Sequence, residues 1–252
     1  MADEKRTPKR VRADDALVVQ GLAPSLERAR ALILAGEVLA GDRPIEKAGD
    51  LVRGDAVLRL RNQPLPYVSR GGLKLAHALK VFALDVAGLD VLDVGASTGG
   101  FSDCVLQAGA ARVFCVDVGY GQLDAKVAND PRVTIFDRTN LRHLSPDVLP
   151  ARAALAVVDV SFISLTQILP PLAGLLRPAA TVVALVKPQF EVHPSRIAKG
   201  GIVRDDAARA EALQTVVAHA LRLGYAVLGE TVSPITGGKG NVEFLLWLRA
   251  PA

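Results

Sequence analysis

Apolar, strand-like runs alternate with helical stretches from residue 85 to the end of the chain. The runs cover 90–94, 112–118, 133–136, 155–160, 181–186, 225–232 and 242–248. The clearest helical stretch is 205–223, which has acidic residues at its start and Gly224 just past its end. A regular alternation of this kind predicts an α/β fold in which helices cover both faces of a parallel sheet.

The last two runs interrupt this alternation. Only the glycine-rich segment 233–241 separates them, so we expect them to pair as an antiparallel hairpin. The sheet would then contain six parallel strands and one antiparallel strand. This seven-stranded, Rossmann-like arrangement is typical of methyltransferases.

A smaller unit precedes this pattern. Its predicted elements are helices over 14–20 and 25–36 and strands over 38–40 and 56–60. Ser25 is placed to cap the second helix. The predicted boundaries are 1–9 for a flexible arm, 10–61 for a small N-terminal α+β domain, 62–68 for a proline-containing linker and 69–252 for the large domain.

Within 91–101 a strand leads into a glycine-rich loop and then a helix. Glycines let a ligand approach the backbone closely, and the free N–H groups at the helix start can bind it. The spacing Gly95-x-x-x-Gly99-Gly100 lacks the second glycine of a dinucleotide fingerprint, which disfavours a nicotinamide dehydrogenase. The loop instead suits a nucleoside ligand with an amino-acid tail.

Two aspartates follow at the ends of the next two strands. Asp117 can accept both ribose hydroxyls of a nucleoside, and Asp137 can accept from an adenine amino group. Each could equally be a strand-end cap or a turn residue. The predicted cofactor-binding residues are Asp93, Gly95, Ala96, Ser97, Thr98, Gly99, Gly100, Phe101, Asp117, Val118, Asp137 and Asp159.

Four charged residues are candidates for catalysis. Asp159 and Lys187 end adjacent strands, whose carboxyl ends face a common crevice. Glu243 lies in an otherwise apolar strand, and Lys74 follows a glycine turn. Methyl transfer to a ribose hydroxyl needs the hydroxyl proton removed, and a partly buried lysine can serve as that base. Two structural salt bridges are the alternative interpretation.

The residues after the fourth strand favour an oxygen acceptor. They read Asp-Val-Ser-Phe at 159–162, not the Asn-Pro-Pro-Tyr type that binds a base amino group. The formal net charge is +4, and 56–84 contains no acidic residue, which suits an acidic partner such as RNA. An ordinary basic protein is the alternative. The candidate RNA contacts are Arg12, Arg28, Arg43 and Arg70.

Several classes of protein are disfavoured. Cys104 and Cys115 lie in apolar segments and form no metal-ligand cluster, so we expect buried free thiols and no bound metal. The charged start lacks the apolar core of a signal peptide, and no uninterrupted apolar stretch reaches the length of a membrane helix. We therefore expect a cytoplasmic protein without a membrane partner. A monomer is expected, although none of these features determines the oligomeric state.

These motifs resemble those of the TlyA family of hemolysin-named rRNA 2′-O-methyltransferases, relatives of the FtsJ ribose methyltransferases. The similar segments are 69–75, 93–101, 159–165, 185–191 and 240–244. The resemblance implies a catalytic tetrad of Lys74, Asp159, Lys187 and Glu243, with Lys187 as the central base. It also implies S-adenosyl-L-methionine as cofactor and rRNA within ribosomal subunits as substrate, with cytidine as the target.

Residues 10–60 resemble the alpha-L RNA-binding domain of the small-subunit ribosomal protein S-four type. The linker departs from the family pattern because it carries two prolines. Two other functions stay open, a non-catalytic RNA-binding factor for ribosome assembly and a membrane-active hemolysin.

Overall fold

The structure is a computed structural model that describes residues 10–61 and 65–252. Within these ranges the chain divides into two compact units. The small unit contains 10–61 together with Pro234–Thr236, and the large unit contains the other described residues. The predicted arm at 1–9 and residues 62–64 of the predicted linker lie outside the described residues.

The small unit combines two helices with short strands. Its elements are β1 (Arg10–Arg12), α1 (Ala13–Val19), α2 (Leu26–Leu34), β2 (Val38–Ala40), β3 (Arg43–Pro44), β4 (Leu51–Arg53) and β5 (Leu58–Leu60). The Ser25 side chain accepts the N–H of Arg28, which confirms the predicted helix cap. Leu17, Ile33 and Val38 belong to the buried core of this unit.

The sequence did not predict three strands of the small unit, namely β1, β3 and β4. β1 and β4 have three residues each and pair antiparallel, with Val11 opposite Val52. So short a strand shows too little alternation to be recognised before its partner is known. The predicted strand over 56–60 is also too long, since β5 begins only at Leu58. The assignment of 10–61 to an alpha-L RNA-binding domain stays a prediction.

The large unit alternates strands and helices. Its elements are α3 (Gly71–Val81), β6 (Asp90–Val94), α4 (Gly100–Gln107), β7 (Arg112–Val116), α5 (Ala125–Ala128), β8 (Val133–Phe136), β9 (Ala153–Val158), α6 (Leu169–Ala173), β10 (Leu176–Val186), α7 (Pro188–Glu191), α8 (Asp206–Arg222), β11 (Ala226–Val232) and β12 (Phe244–Arg249).

The seven strands β6–β12 form one sheet in the order β11-β12-β10-β9-β6-β7-β8. Strand β12 is antiparallel to both of its neighbours, β10 and β11, and the remaining pairs are parallel. The predicted α/β fold is therefore confirmed, with six strands in one direction and β12 reversed.

Several predicted boundaries in the large unit differ from the observed ones. Strand β9 ends at Val158 and β12 begins at Phe244, so Asp159 and Glu243 lie just outside their strands. The predicted glycine turn before Lys74 is the first turn of α3. Strand β10 starts five residues before the predicted 181, with a shift in its register against β9 between Leu176 and Thr181. The proline and charge within that stretch concealed it.

Alternate residues of the sheet face two hydrophobic cores. Leu92 and Phe114 pack in the core that contains Leu213 and Val216 of α8, whereas Val91 and its neighbours on the other face pack with residues of α3 and α4. Because β6, β7, β9 and β10 run parallel, their carboxyl ends share one edge of the sheet. Folds of this kind bind their ligands at that edge.

Two findings concern partners. Among the described residues, none of the helices combines the length and apolar character that crossing a bilayer requires. Within the same ranges, no group of three or more His, Cys, Asp and Glu side chains is placed to hold a metal ion.

Cys104 and Cys115 are buried free thiols, and burial raises the pKa of each to about 12.

Candidate active site

The glycine loop connects β6 to α4 and lies directly on the chain that follows β9. Gly95 and Gly99 have φ values of +82° and +90°, a conformation that favours glycine. A Cβ at Gly95 would lie 2.5 Å from the carbonyl oxygen of Asp159. A side chain at this position would therefore push the loop away from the sheet.

Two cavities meet at this loop. The first, here called the loop cavity, has a volume of about 250 Å³ and is lined by Ser69, Arg70, Gly71, Lys74, Gly95–Thr98, Gly100, Phe101, Asp159, Ser161, Lys187 and Gly237. The second, the sheet-edge cavity, has about 480 Å³ and includes Val94, Asp117, Val118, Asn140, Asp159 and Phe162 in its lining. Together they follow the carboxyl edge from β7 to β10.

Most of the predicted cofactor residues line these cavities, and three do not. Asp93, Gly99 and Asp137 are absent from the lining of both. Asp137 lies beyond β8, where its Oδ2 accepts the N–H of Gly121 at 2.9 Å. The structure thus gives Asp137 a turn-stabilising contact, which was the alternative interpretation of this residue.

Asp117 holds the glycine loop against the end of β7. Its Oδ2 accepts the N–H of Ser97 at 2.8 Å, and its Oδ1 accepts the N–H of Gly119 at 2.7 Å. Each carboxylate oxygen retains a second lone pair, so the group can still accept hydrogen bonds from a ligand in the sheet-edge cavity.

Asp93 supports the loop from behind. It is fully buried, and its Oδ2 accepts the hydroxyl of Ser102 at 2.6 Å. Its Oδ1 has no hydrogen-bond partner among the described residues. Burial raises the pKa of this carboxyl to about 7. Asp93 is among the predicted cofactor-binding residues, and the structure places it beneath the loop.

Lys74 and Glu243 form the more deeply buried of two ion pairs at the site. Lys74 Nζ lies 2.6 Å from Glu243 Oε2, and the two side chains are 10% and 2% exposed. Lys74 comes from the first turn of α3, and Glu243 from the residue before β12. A Cβ at Gly237 would overlap the Glu243 carboxylate, so glycine leaves the space in which this acid lies.

Lys187 and Asp159 form the second ion pair. Lys187 Nζ lies 2.6 Å from Asp159 Oδ1 and donates to the hydroxyl of Ser161 at 2.9 Å. The Asp159 contact is close but poorly aligned for a hydrogen bond, since Asp159 Oδ1 has no hydrogen-bond partner among the described residues. Phe190 lies beside the ammonium, with its ring centroid 5.9 Å from Nζ.

A third cavity lies on the other side of the lysines. This lysine cavity has about 400 Å³ and is lined by Lys74, Ser161, Phe162, Lys187, Gln189, Phe190, Ile197, Gly201, Lys239, Asn241 and Glu243. Lys74, Ser161 and Lys187 line both the loop cavity and the lysine cavity. The two lysines therefore stand between two separate binding spaces.

Sequence reasoning had assigned no role to several lining residues. Ser161 and Phe162 follow Asp159 within a recognised motif, and Gln189 follows Lys187 in another, so their position in the motif was an available signal. Lys239 and Asn140 had no such signal, because each lies in a turn whose location depends on the folded chain.

The four predicted RNA contacts have different surroundings. Arg28 and Arg43 are exposed in the small unit, and Arg70 lines the loop cavity of the large unit. Arg12 donates through Nε and Nη2 to the buried carboxylate of Asp14 at 2.9 and 2.8 Å. The Arg12 guanidinium lowers the pKa of Asp14 to about 2, with Arg30 contributing. Arg12 thus has a structural role that sequence did not indicate.

The sheet with reversed β12, the glycine loop after β6 and the charged strand ends together define a Rossmann-like methyltransferase. A model of the FtsJ-like methyltransferase family matches residues 67–250, and the chain belongs to this family. The chain is 45% identical over 242 residues to 16S/23S rRNA (cytidine-2′-O)-methyltransferase TlyA of Mycobacterium tuberculosis, covering 96% of this chain and 90% of that protein.

Solved structures agree with this assignment. A Streptococcus thermophilus protein that carries a hemolysin name is 43% identical, with a TM-score of 0.75 and coverage of 97% of this chain and 90% of that one. N-methyltransferase NodS from Bradyrhizobium japonicum, solved with S-adenosyl-l-homocysteine, is 15% identical, with a TM-score of 0.50 and coverage of 71% and 88%. The second similarity concerns the fold alone.

Proposed function

We propose that this chain transfers a methyl group from S-adenosyl-L-methionine to a ribose 2′-hydroxyl of ribosomal RNA, at cytidine, within ribosomal subunits. It acts as a cytoplasmic monomer. The observation that carries the proposal is the position of Lys187 and Lys74 between the loop cavity and the lysine cavity. One cavity can hold the methyl donor and the other the acceptor nucleotide, with an amine between them.

The loop cavity and the sheet-edge cavity fit the donor. Gly95 and Gly100 let the amino-acid tail approach the backbone, since a Cβ at either would overlap neighbouring atoms. Asp117 accepts from the ribose hydroxyls, and Asp159 lies where both cavities meet and balances positive charge. S-Adenosyl-L-methionine, when bound, supplies an electrophilic methyl group on a positively charged sulfur.

Lys187 acts in its unprotonated amine form, which accepts the proton of the 2′-hydroxyl and so becomes the ammonium that pairs with Asp159, while the ribose oxygen bonds to the methyl group in place of the donor sulfur. Asp159 and Ser161 hold its Nζ in place, so the amine is directed before the acceptor arrives. Lys74, fixed by Glu243, places positive charge at the same two cavities and stabilises the oxygen as it loses its proton. Removing a general base of this kind lowers the rate by about 100-fold or more.

The product of the reaction tests the proposal. Purified protein is incubated with small and large ribosomal subunits and methyl-labelled donor, and the RNA is digested to nucleosides. We expect label in 2′-O-methylcytidine. Lys187→Ala should abolish most of the label, and Lys199→Ala, which changes an exposed lysine outside the three cavities, should not.

Other results would favour the other functions. Tight binding of subunits without any label in RNA would indicate a non-catalytic assembly factor. Leakage of dye from liposomes caused by the pure protein would indicate a membrane-active hemolysin. Label on a base, with none on ribose, would contradict the assignment of Lys187 as the base for a hydroxyl.

A further inference from the structure

In the ion-paired state, the three lysines that line the lysine cavity carry one more positive charge than their paired acids balance. Lys74 is paired with Glu243, and Lys187 is paired with Asp159. Lys239 also lines this cavity, and within the ranges that the structure describes its ammonium has neither an ion-pair partner nor a hydrogen-bond partner. The cavity therefore suits an occupant that carries negative charge.

The backbone holds Lys239 in a conformation that is rare for a lysine. Its φ is +62°, in the left-handed region. Buried Asn241 fixes this turn, because its Nδ2 donates to the carbonyl of Gly201 at 2.9 Å and its Oδ1 accepts the N–H of Val203 at 3.0 Å. Strain of this kind persists only where the surrounding structure imposes it, and it concentrates at functional sites.

The Lys239 side chain extends over bare backbone at the edge of the cavity. A Cβ at Gly201 would lie 3.7 Å from Lys239 Nζ, so the ammonium rests against a residue that has no side chain. Gly201 itself has a φ of +81°. The two turns thus present the ammonium at the cavity and leave it accessible.

The other walls of the lysine cavity suit a nucleotide. Gln189 Oε1 is buried without a hydrogen-bond partner among the described residues, so a donor group of an occupant can satisfy it. Phe162 and Phe190 add aromatic surface, with ring centroids 5.2 Å apart. The volume of about 400 Å³ lies within the range of ligand cavities, about 300–1,000 Å³.

We propose that Lys239 binds a backbone phosphate of the RNA nucleotide whose ribose is methylated. The inference rests on the proposed function, because it takes an RNA nucleotide as the occupant of the lysine cavity. A hydrogen bond between an ammonium and a phosphate is charge-assisted and is stronger than one between neutral groups. This contact fixes the nucleotide so that its 2′-hydroxyl faces Lys187.

Kinetics and salt dependence test this role. Wild type, Lys239→Ala, Lys239→Arg and the control Arg249→Ala, which changes an exposed arginine at the last residue of β12, are compared on ribosomal subunits. We expect Lys239→Ala to lower kcat/KM about 10-fold, mainly through KM, since a tenfold change corresponds to one charged hydrogen bond. Lys239→Arg should remain within about 3-fold of wild type. The slope of log binding constant against log salt should fall by about 1 in Lys239→Ala.

Failure of this inference differs from failure of the proposed function. If wild type methylates subunits and Lys239→Ala retains its kcat/KM and salt slope, Lys239 binds no phosphate. A matching loss of donor affinity in Lys239→Ala, measured by calorimetry, would also overturn the inference. If wild type transfers no methyl group, the proposed function is wrong, and the salt slope of subunit binding still decides whether Lys239 contacts phosphate.

Discussion

The two halves of the site differ in the chemical groups that form them. The loop half, Gly95–Phe101 with Asp117, consists of backbone groups and glycines held close to the sheet. The lysine half, Lys74, Asp159, Lys187 and Glu243, consists of long charged side chains in two ion pairs. A half made of backbone is sensitive to added atoms, whereas a half made of paired charges is sensitive to a missing partner. Binding of the donor and chemistry on the acceptor should therefore respond to different substitutions.

The largest effect on stability is expected in the lysine half. Glu243→Ala leaves Lys74, whose side chain is 10% exposed, without its partner. Breaking a buried ion pair in this way costs about 3–5 kcal/mol. Urea unfolding followed by the fluorescence of Trp247, the single tryptophan of the chain, measures the change in the large unit.

Two further variants make the Glu243 result specific. Glu230→Ala removes an exposed acid from β11 and should leave the free energy of unfolding nearly unchanged. Replacing Lys74 and Glu243 together by Met and Leu should restore most of the stability without restoring methyl transfer. Equal losses in Glu243→Ala and Glu230→Ala would show that the pair is not the cause.

The next effect concerns the support of the loop half. Burial raises the pKa of Asp93 to about 7, above the ordinary value of about 4. The folded protein then binds a proton that the unfolded chain releases, so this group makes stability fall as pH rises between about 4 and 7. The fall is on the order of a few kcal/mol, because one pKa unit corresponds to about 1.4 kcal/mol.

Asp93→Asn removes this titration. Unfolding at pH 4.5, 6 and 7.5 should show that the stability of wild type relative to Asp93→Asn declines as pH rises through the window. Asp147→Asn, at an exposed position, serves as the control and should leave the pH trend of wild type intact. Parallel trends for wild type and Asp93→Asn would contradict the burial argument.

A smaller effect is expected on donor affinity from an added methyl group in the loop half. In Gly95→Ala the Cβ would lie 2.5 Å from a backbone oxygen that cannot rotate away, in addition to the strain of a φ of +82°. We expect the Kd for S-adenosyl-L-methionine to rise about 30-fold, equivalent to about 2 kcal/mol. Calorimetric titration measures it.

Gly88→Ala is the control that carries backbone strain without the close contact of a Cβ with neighbouring atoms. Gly88 has a φ of +72° and open space around its Cβ position, so its variant shares the backbone strain alone. Its donor affinity should stay within about twofold of wild type. If both variants bind the donor equally, the close approach of the loop to Asp159 has no part in binding.

The smallest effect is expected outside both halves. Arg43 is exposed in the small unit, and Arg43→Ala should weaken binding of ribosomal subunits about 2- to 5-fold while donor affinity and kcat stay unchanged. Filter binding at two salt concentrations measures it. A change in kcat in Arg43→Ala would show that this residue affects methyl transfer as well as subunit binding, which would contradict the prediction.

The lysine half and the loop half also differ in how far sequence predicts them. The alternation of strands placed Asp159 and Lys187 at one edge, since parallel strands deliver their ends together. The loop was recognisable because its glycines are adjacent in sequence. Asp137 lines neither the loop cavity nor the sheet-edge cavity and contacts a turn, and a strand-end aspartate that binds a ligand looks like a turn aspartate in sequence.

Long-range contacts account for most of what sequence did not predict. The position of Lys74 in the first turn of α3, and its contact with Glu243, join residues 169 positions apart. Lys239 lies in a turn that Asn241 fixes to a distant loop. In each case a side-chain hydrogen bond decides the role, and no local pattern records it.

Donor affinity and single-turnover transfer rate, measured in parallel for Lys187→Ala, test the central claim most directly. If the lysine half performs the chemistry and the loop half binds the donor, the transfer rate falls about 100-fold or more while the Kd for S-adenosyl-L-methionine stays within about twofold. A variant that keeps its rate, or that loses donor affinity in proportion to rate, would contradict the account.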